Sequence, residues 1–419
     1  MRERRPMRHG RNVFVRKMFL AVFNGMFVAK AIRHLLKPKV VHRTLEGLLK
    51  LLFPVHPDKV VFMTFSGALE CNPKYIAKEL KRRGGHDIVW LIGAVAYRAR
   101  SMRARALGYK AAPIWSLRGM YHIVTAGIWV DNAQMFILDG MPSKRKGQRY
   151  LNTWHGSLGI KRLESAGSKI KSRIKKAAAA TDAVLVNSVF EENVFAESVF
   201  PDTKKLRLGH PRNDIFFMSD DDKAAIRDRV RTELGLEKDE KFVLYAPTFR
   251  EIEFFTSAGG VNFGNWASAL TGRFGGRWRV MIRLHPHDAQ ALAEGLISLP
   301  IGVCDLSSRE DIQELLVAAD AGITDYSSWI FDYLLGGNPG FIYAPDKKTY
   351  DESRGFYYPL EETPFPVAET EDELCARIRA FDENTYAARC MEFLRARGCM
   401  EDGKASGRAV DWIERRESV

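Results

Sequence analysis

From residue 58 onward, the chain alternates short apolar, β-branched runs with amphipathic stretches of helical spacing. The first run is 59–65, and 72–83 follows it with helical spacing and Pro73 in its first turn. Further strand candidates are 87–93, 127–130, 183–186, 242–245, 280–284, 322–324 and 340–343. Strands that alternate with helices predict an α/β fold in which crossover helices join parallel strands.

The 419 residues exceed what one hydrophobic core usually holds, so we expect two domains. The charged, helical stretch 213–237 separates two alternating halves. We therefore predict a first domain over residues 56–215 and a second over residues 216–419, preceded by a separate segment, residues 1–55. Ligands of such domains bind at the carboxyl ends of the strands.

Positive charge is concentrated in the first fifty residues. They hold thirteen Lys and Arg residues against two Glu residues, which accounts for +11 of the net charge of +13. A nucleic-acid-binding protein usually spreads its basic residues over a folded surface. The distribution therefore argues against a nucleic-acid partner.

An apolar run of twelve residues, 18–29, lies within this basic segment. It is shorter than the roughly 20 residues that span a bilayer, and its basic flanks favour a helix lying on an anionic membrane surface. A cleaved secretory signal and a soluble basic tail are the alternatives. The five cysteines are odd in number, scattered and without a CxxC pair, which is typical of the cytosol rather than of export.

The clearest candidate phosphate site follows the strand candidate 322–324. The sequence TDYSSWIFDYLL places Asp325, Ser327 and Ser328 between that strand and an apolar-periodic helix. Ser327 or Ser328 can cap this helix, and the first N–H groups of a helix attract phosphate. Taken alone, the segment also fits an ordinary serine cap without a ligand.

Two more strand ends in the same half carry phosphate-compatible groups. RLHPH supplies Arg283 and His285, and APTFR supplies Thr248 and Arg250. Arginine is suited to bidentate phosphate contacts, so the three strand ends together predict a pocket for a diphosphate. His285 also fits a core histidine, and with His287 it fits a metal ligand, although no third ligand is evident.

The first half contributes the sequences NTWHGS and LGHPRND. His155 lies between Trp154 and Gly156, a glycine that allows close backbone approach. This imidazole is suited to act as a general base opposite the diphosphate. A buried structural histidine beside Trp154 is the alternative.

Together these motifs resemble those of the CDP-glycerol glycerophosphotransferase family, the bacterial teichoic acid primases and polymerases. TWHG, GHPRND, YAPTFR, RLHP and ITDYSSWIFDYLL occur in the family's order, with NPK at 72–74 and RGFY at 354–357. The resemblance covers about residues 60–366. It implies a GT-B fold, in which two Rossmann-like domains face a cleft, a CDP-glycerol donor, and peripheral attachment to the cytoplasmic face of the membrane.

The resemblance also implies roles for individual residues. His155 and His285 are implied to be needed for activity. The donor side is implied for six residues: Thr248, Arg250, Arg283, Asp325, Ser327 and Ser328. On the acceptor side we expect Trp154, Gly156, Ser157, Lys161 and Asn213. The chain departs from the family's usual pattern after WHG, where Ser157-Leu158 stands in place of Thr-Pro.

We therefore predict that His155 deprotonates a hydroxyl of a lipid-linked glycan or polyol-phosphate acceptor, which attacks the β-phosphorus of CDP-glycerol and releases CMP. No DxD pair follows a strand, so we expect no required cofactor or metal and fixed positive groups in a divalent cation's place. Transfer of ribitol phosphate or another polyol phosphate is one alternative, and a GT-B glycosyltransferase with a nucleotide-sugar donor is another. A non-catalytic basic scaffold for lipid or nucleic acid would leave the strand-end groups without a role.

Overall fold

The computed structural model describes residues 38–415, except 95, 138–140, 164–167, 249–260, 285–288, 290, 291, 293, 296–298 and 301. The chain divides into two compact units. The first comprises Met1–Thr153, Ala179–Val184 and Val410–Val419, and the second comprises Trp154–Ala178 and Leu185–Ala409. The apolar run 18–29 and most of the basic segment lie outside the described residues. Among the helices that are described, none is long and apolar enough to cross a membrane.

The first sheet has seven strands in the order β3-β2-β1-β4-β5-β6-β7. Strand β1 pairs in parallel with both β2 and β4. The strands are β1 His56–Phe62, β2 Asp87–Ile92, β3 Lys110–Pro113, β4 Ala126–Asp131, β5 Arg149–Asn152, β6 Ala183–Val186 and β7 Lys204–Arg207. The helices of this part of the chain are α1 Pro38–Leu52, α2 Cys71–Arg83, α3 Tyr97–Ala106, α4 Leu117–Thr125, α5 Ser168–Ala180 and α6 Val189–Glu197.

The core of the first unit forms around β4, all six residues of which are buried. Trp129 of this strand stacks on Phe136 at 5.0 Å between ring centroids and meets the edge of Tyr150 at 6.0 Å. The indole N–H of Trp129 donates to the Ile123 carbonyl at 2.9 Å, so its one polar atom is satisfied inside the core. A strand buried on both faces is typical of a parallel sheet covered by helices on both sides.

The second sheet has six strands in the order β10-β9-β8-β11-β12-β13. Its strands are β8 Glu240–Tyr245, β9 Arg277–Ile282, β10 Cys304–Asp305, β11 Ala321–Thr324, β12 Gly340–Tyr343 and β13 Val367–Ala368. Strand β8 pairs in parallel with β9 and with β11. The helices are α7 Asp220–Glu233, α8 Phe263–Phe274, α9 Gln313–Ala318, α10 Trp329–Tyr333, α11 Lys347–Arg354, α12 Glu371–Arg379, α13 Glu383–Ala396 and α14 Ala405–Glu414.

Both sheets use the same strand order when each is numbered from its own first strand, namely 3-2-1-4-5-6, with β7 added at the edge of the first. This is the order of doubly wound nucleotide-binding folds, in which ligands bind where the order reverses. The reversal, or switch point, lies between β1 and β4 in the first sheet and between β8 and β11 in the second. The predicted α/β fold with parallel sheets is confirmed.

The predicted strands correspond to observed ones, but the sequence missed five. Strand β1 covers His56–Phe62 rather than 59–65, because the chain turns directly after the strand. The missed strands are β3, β5, β7, β10 and β13, which are short, and β3, β5 and β7 contain Lys or Arg. The five cysteines, all of which are described, form no disulfide.

Candidate active site

The second sheet gathers three strand ends at one edge. Because β8 lies between β9 and β11, the segments that follow these strands emerge side by side. Arg283 follows β9, Thr248 follows β8, and Asp325, Ser327 and Ser328 follow β11. The switch point of this sheet therefore lies among the residues that are predicted from the sequence to bind phosphate.

Asp325 ties the segment after β8 to the segment after β11. Its carboxylate, only 1% exposed, accepts the Thr248 backbone N–H at 2.9 and 3.1 Å and the Thr248 hydroxyl at 2.9 Å. The Ala246 carbonyl accepts bonds from the Thr324 hydroxyl at 2.7 Å and from the Trp329 indole at 2.8 Å. These bonds make the switch-point edge rigid, and they give Asp325 a role in positioning Thr248.

Ser327 and Ser328 lead into a short helix. Helix α10 has five residues and continues as one 3₁₀ turn, Leu334–Gly336. Ser328 precedes α10, but its side chain does not cap the helix, so the cap that we considered for it does not form. Both serines are partly exposed. Because so short a helix sums few peptide dipoles, the case for a phosphate site at this edge depends on the serine hydroxyls more than on the helix.

Arg283 is held at the end of β9 by backbone carbonyls. Its Nε and Nη2 donate to the Arg309 carbonyl at 3.3 and 3.2 Å, and Nη2 also donates to the Glu310 carbonyl at 3.1 Å. Its own backbone N–H donates to the Tyr245 carbonyl at 3.0 Å, which fixes Arg283 beside the end of β8. The guanidinium is partly exposed and oriented, as a group that binds anions requires.

His155 lies on a loop, residues 154–163, whose first residue is strained. Trp154 has a φ of +54°, which is uncommon for a bulky side chain and is often found at functional sites. Its indole stacks on the His155 ring at 4.8 Å between centroids and meets the edges of Phe195 and Phe200 at 5.3 and 5.8 Å. The imidazole is exposed, which argues against a buried structural histidine.

Two glycines bring this loop against Ser328. A Cβ atom added to Gly156 would lie 3.9 Å from the Ser328 hydroxyl and 3.0 Å from the Trp154 indole nitrogen. A Cβ atom added to Gly159 would lie 3.3 Å from the Ser328 Cβ. The residue after His155 is therefore a glycine because the backbone passes close to its neighbours here. The structure thus brings the WHG loop and the serine pair together within the second unit.

Ser157 and Lys161 follow His155 on the same loop. Ser157 is buried, and its hydroxyl accepts the side-chain amide of Asn187 at 2.7 Å. Lys161 forms an isolated antiparallel bridge with Phe356, and its side chain is partly exposed. Ser157 therefore anchors the loop from inside, whereas the Lys161 side chain reaches the surface in part, and its place on the acceptor side stays a prediction.

Arg212 connects the WHG loop to helix α10 through a buried ion pair. Its Nε donates to Asp332 Oδ2 at 2.7 Å and its Nη2 to Asp332 Oδ1 at 3.3 Å. The same Nη2 donates to the Gly156 carbonyl at 2.8 Å. Arg212 is 4% exposed and Asp332 is 2% exposed. One guanidinium therefore holds the residue beside His155 and the helix that follows Ser328.

Asn213, expected on the acceptor side, is fully buried next to this pair. Its amide donates to Asp332 at 3.0 Å and to Glu401 at 2.9 Å, and its oxygen accepts the Gln313 amide at 3.1 Å. These contacts make it a support for the ion pair. Burial raises the pKa of Glu401 to about 7, with the negative charge of Asp332 acting in the same direction.

Two predicted residues, Arg250 and His285, lie outside the described residues. Their roles stay predictions. In the part of the chain that is described, no group of three or more His, Cys, Asp or Glu side chains is arranged to hold a metal ion.

Sequence reasoning did not single out Arg212 or Asp332. Both lie within motifs that it quoted, GHPRND and ITDYSSWIFDYLL. An acidic residue on the apolar side of a short helix is a detectable signal, because a buried carboxylate needs a cationic or hydrogen-bonding partner. The partner itself, 120 positions away in the chain, could not be read from the pattern.

A sequence model of the CDP-glycerol:poly(glycerophosphate) glycerophosphotransferase family matches residues 47–415. The chain belongs to this family. It is 27% identical over 371 residues to the teichoic acid poly(glycerol phosphate) polymerase of Bacillus subtilis, covering 84% of this chain and 48% of that protein. It is 28% identical over 389 residues to the teichoic acid ribitol-phosphate primase of Bacillus spizizenii, covering 90% of this chain and 95% of the primase. The chain thus spans about half the length of some of its curated relatives.

The fold has a solved counterpart in the wall teichoic acid polymerase TagF. The two structures agree with a TM-score of 0.74 at 25% sequence identity, over 93% of this chain and 96% of the other. A variant of that polymerase has also been solved after soaking with CDPG.

Proposed function

We propose that the chain transfers glycerol phosphate from CDP-glycerol to a hydroxyl of a lipid-linked acceptor of the teichoic acid type and releases CMP. The observation that carries the proposal is the packing of the WHG loop on Ser328 at the switch-point edge of the second sheet. Because His155 directly precedes Gly156, this contact supports a base close to the proposed phosphate-binding hydroxyls. Membership of the family supports the donor and the reaction class.

His155 is the proposed general base. Its exposed imidazole accepts the proton of the acceptor hydroxyl, and the hydroxyl oxygen forms a bond to the β-phosphorus of CDP-glycerol. The bond between that phosphorus and the bridging oxygen breaks, and the electron pair leaves with CMP. The second pKa of a phosphate monoester is about 6, so CMP leaves without needing a general acid. The stacked Trp154 ring holds the imidazole in place for this step.

The donor diphosphate is proposed to bind at the switch-point edge. The Ser327 and Ser328 hydroxyls and the Arg283 guanidinium supply hydrogen bonds and positive charge to the phosphates, and Arg250 and His285 add to them by family resemblance. Asp325 acts indirectly, because its buried carboxylate orients Thr248. Fixed donors of this kind stabilise the negative charge that develops during phosphoryl transfer.

The resemblance to the family supports two further proposals. The two units correspond to the two domains of a GT-B enzyme, each built on the 3-2-1-4-5-6 strand order. The chain acts at the cytoplasmic face of the membrane as a peripheral protein. Helix α1 supports attachment, because it lies at the end of the basic segment and exposes the apolar side chains of Leu48, Leu51 and Leu52, with that of Phe53 directly after it.

Transfer of ribitol phosphate from CDP-ribitol is the second candidate. The observation in its favour is the similarity to a ribitol-phosphate primase over nearly the full length of both chains. A GT-B glycosyltransferase using a nucleotide sugar would share the fold but add a sugar to the acceptor. The mass of the product formed with each donor separates these activities.

The test is incubation with radiolabelled CDP-glycerol and a lipid-linked disaccharide acceptor. We expect the wild type to label the acceptor and His155→Ala to be at least about 100-fold slower, because general base catalysis contributes 10² to 10⁴ in rate. His56→Ala is the matched control, since His56 is an exposed histidine at the start of β1. Equal rates for His155→Ala and wild type would contradict the proposed base, and labelling only from another donor would contradict the proposed substrate.

A further inference from the structure

The first sheet has a switch point of its own, between β1 and β4. The chain leaves β1 into a tight turn, in which the Gly67 N–H donates to the Thr64 carbonyl at 3.0 Å. A Cβ atom on Gly67, whose φ is +67°, would lie 2.7 Å from the Gly93 nitrogen, so the turn packs against the segment after β2 without space between them. The turn is therefore held in one conformation.

This rigid turn presents a large aromatic side chain to solvent. Phe65 is 63% exposed, although it lies three residues after a fully buried strand end. Single exposed apolar residues are common and need no explanation. An aromatic ring on a rigid turn at a switch point is different, because ligands of doubly wound folds bind there and a preordered ring loses little conformational freedom on binding.

A hydrogen bond joins the turn to the segment after β4, as a hydrogen bond joins the corresponding segments at the switch-point edge of the second sheet. The Phe65 N–H donates to Asn132 Oδ1 at 2.9 Å. Phe65 is the third residue after β1 and Asn132 is the first after β4, just as Thr248 is the third after β8 and Asp325 the first after β11. The same bond therefore shapes the switch points of both sheets, one of which is the proposed donor site.

Backbone strain is concentrated at this edge of the first unit. Among the described residues of that unit, the non-glycine residues with positive φ are Cys71, Ala96 and Gln134, and they follow β1, β2 and β4 respectively. Such conformations are retained mainly where a function requires them. The strain is a second observation, independent of the exposed ring, that supports a function at this edge.

Polar groups bonded to Ser66, the residue after Phe65, indicate the ligand class. The Ser66 hydroxyl donates to Glu70, and Arg100 donates to the Ser66 carbonyl at 3.1 Å. Glu70 and Arg100 are both partly exposed. An aromatic face beside a carboxylate and a guanidinium matches a pyranose ring, which has an apolar C–H face and hydroxyl groups around its edge.

We propose that Phe65 is a saccharide-binding platform on which one sugar ring of the acceptor stacks, with Glu70 and Arg100 at its hydroxyl groups. The proposal rests on the function proposed above and deepens it, since it makes the acceptor a ring-bearing glycan at this position. A polyol-phosphate chain has no ring to stack, so Phe65 distinguishes an acceptor with a sugar end from one with a polyol end.

The experiment compares Phe65→Ala with Phe65→Trp, and with Met102→Ala as the control for removal of an exposed apolar side chain in the first unit. For a lipid-linked disaccharide acceptor, we expect Phe65→Ala to raise KM about tenfold, equal to about 1.4 kcal/mol of binding, with kcat and the KM for CDP-glycerol unchanged. Phe65→Trp should retain wild-type KM because it keeps a stacking ring. An unchanged acceptor KM in Phe65→Ala would overturn the proposal and leave the proposed reaction intact.

A binding measurement separates this inference from the proposed reaction. A soluble disaccharide of N-acetylhexosamines, observed by saturation-transfer NMR, should bind to the wild type and to Met102→Ala and show at least a fivefold weaker signal with Phe65→Ala. This outcome would support the platform even if CDP-glycerol proved not to be the donor. Equal signals in all variants would overturn it, as would a loss of vesicle binding in Phe65→Ala without loss of saccharide binding.

Discussion

Asp332→Asn tests whether the buried ion pair with Arg212 positions the loop that carries His155. The substitution keeps the size of the side chain and one acceptor oxygen but removes the charge. Arg212, which is only 4% exposed, then loses its carboxylate partner inside the protein. The side-chain amides of Asn213 and Gln313 lose the same carboxylate. The Gly156 carbonyl still accepts from the same guanidinium, but on its other side that guanidinium loses the negative charge and one of its two acceptor oxygens.

The size of the effect follows from the geometry. Breaking a buried ion pair by removing one partner costs about 3–5 kcal/mol, and the retained acceptor oxygen of Asn puts the expected loss near the lower end. We therefore expect the free energy of unfolding to fall by about 3 kcal/mol and kcat to fall at least about tenfold, or 1.4 kcal/mol in the barrier.

Urea unfolding and steady-state kinetics measure the two effects, and a double variant separates them. Arg212→Met with Asp332→Leu removes both charges, which is often neutral or stabilising for a buried pair. It should recover most of the lost stability without recovering kcat, because no donor remains for the Gly156 carbonyl. Glu392→Gln, in the exposed pair with Arg395, is the control and should leave both quantities near wild type. Recovery of kcat in the double variant would refute the positioning role.

Three further predictions concern pH, metal dependence and the membrane. Burial raises the pKa of Glu401 from 4.5 to about 7, so the fold favours its protonated form, and the stability present below pH 4.5 is lost as the pH rises through 7. Glu401→Gln, which is always neutral, should match the wild type in urea unfolding at pH 4.5 and exceed it by up to about 3 kcal/mol at pH 8; a constant difference across this range would contradict the assignment. If fixed positive groups replace a divalent cation, excess EDTA should leave the rate of transfer within about twofold of the untreated rate. Loss of transfer in EDTA, with recovery on addition of Mg²⁺, would contradict that expectation. Deleting residues 1–50 should abolish co-sedimentation with anionic vesicles, since each basic residue near such a surface contributes about 1 kcal/mol of binding. Slow cleavage of soluble CDP-glycerol should persist in this variant. Retained co-sedimentation would locate the membrane attachment elsewhere in the chain.

The strands with apolar sequences could be predicted because their own residue types indicate burial. Strands β1, β2, β4, β8, β9, β11 and β12 contain apolar runs, and a parallel sheet covered on both faces requires such runs. The short strands β3 and β7 (KAAP and KKLR) carry no such signal. Their pairing depends on neighbours that are already in place in the sheet, which a local pattern does not contain.

For the site, too, the sequence predicted some features and missed others. The sequence placed phosphate-compatible groups after three strands, and the sheet order sets these strand ends side by side. It could not separate groups that face a ligand from groups that face inward. Asp325 and Asn213 both lie in loops rich in polar residues, yet both are buried and bonded to other parts of the second unit. The direction of such a side chain is set by tertiary contacts, so only the structure distinguishes a contact residue from a support.

The two switch points share one backbone arrangement, to which the proposals above assign two chemistries. In each sheet, a side-chain oxygen directly after the fourth strand accepts the N–H of the third residue after the first strand. This bond fixes the backbone and leaves the character of the site to the side chain at that third position. At the second sheet it is Thr248, whose hydroxyl donates to the Asp325 carboxylate at the edge that carries the serine pair and the proposed donor phosphates. At the first sheet it is Phe65, a ring held by a neutral amide, which suits the apolar face of a sugar. The difference between the two sites is therefore carried by a few side chains, while the geometry that makes each of them a site is common to both.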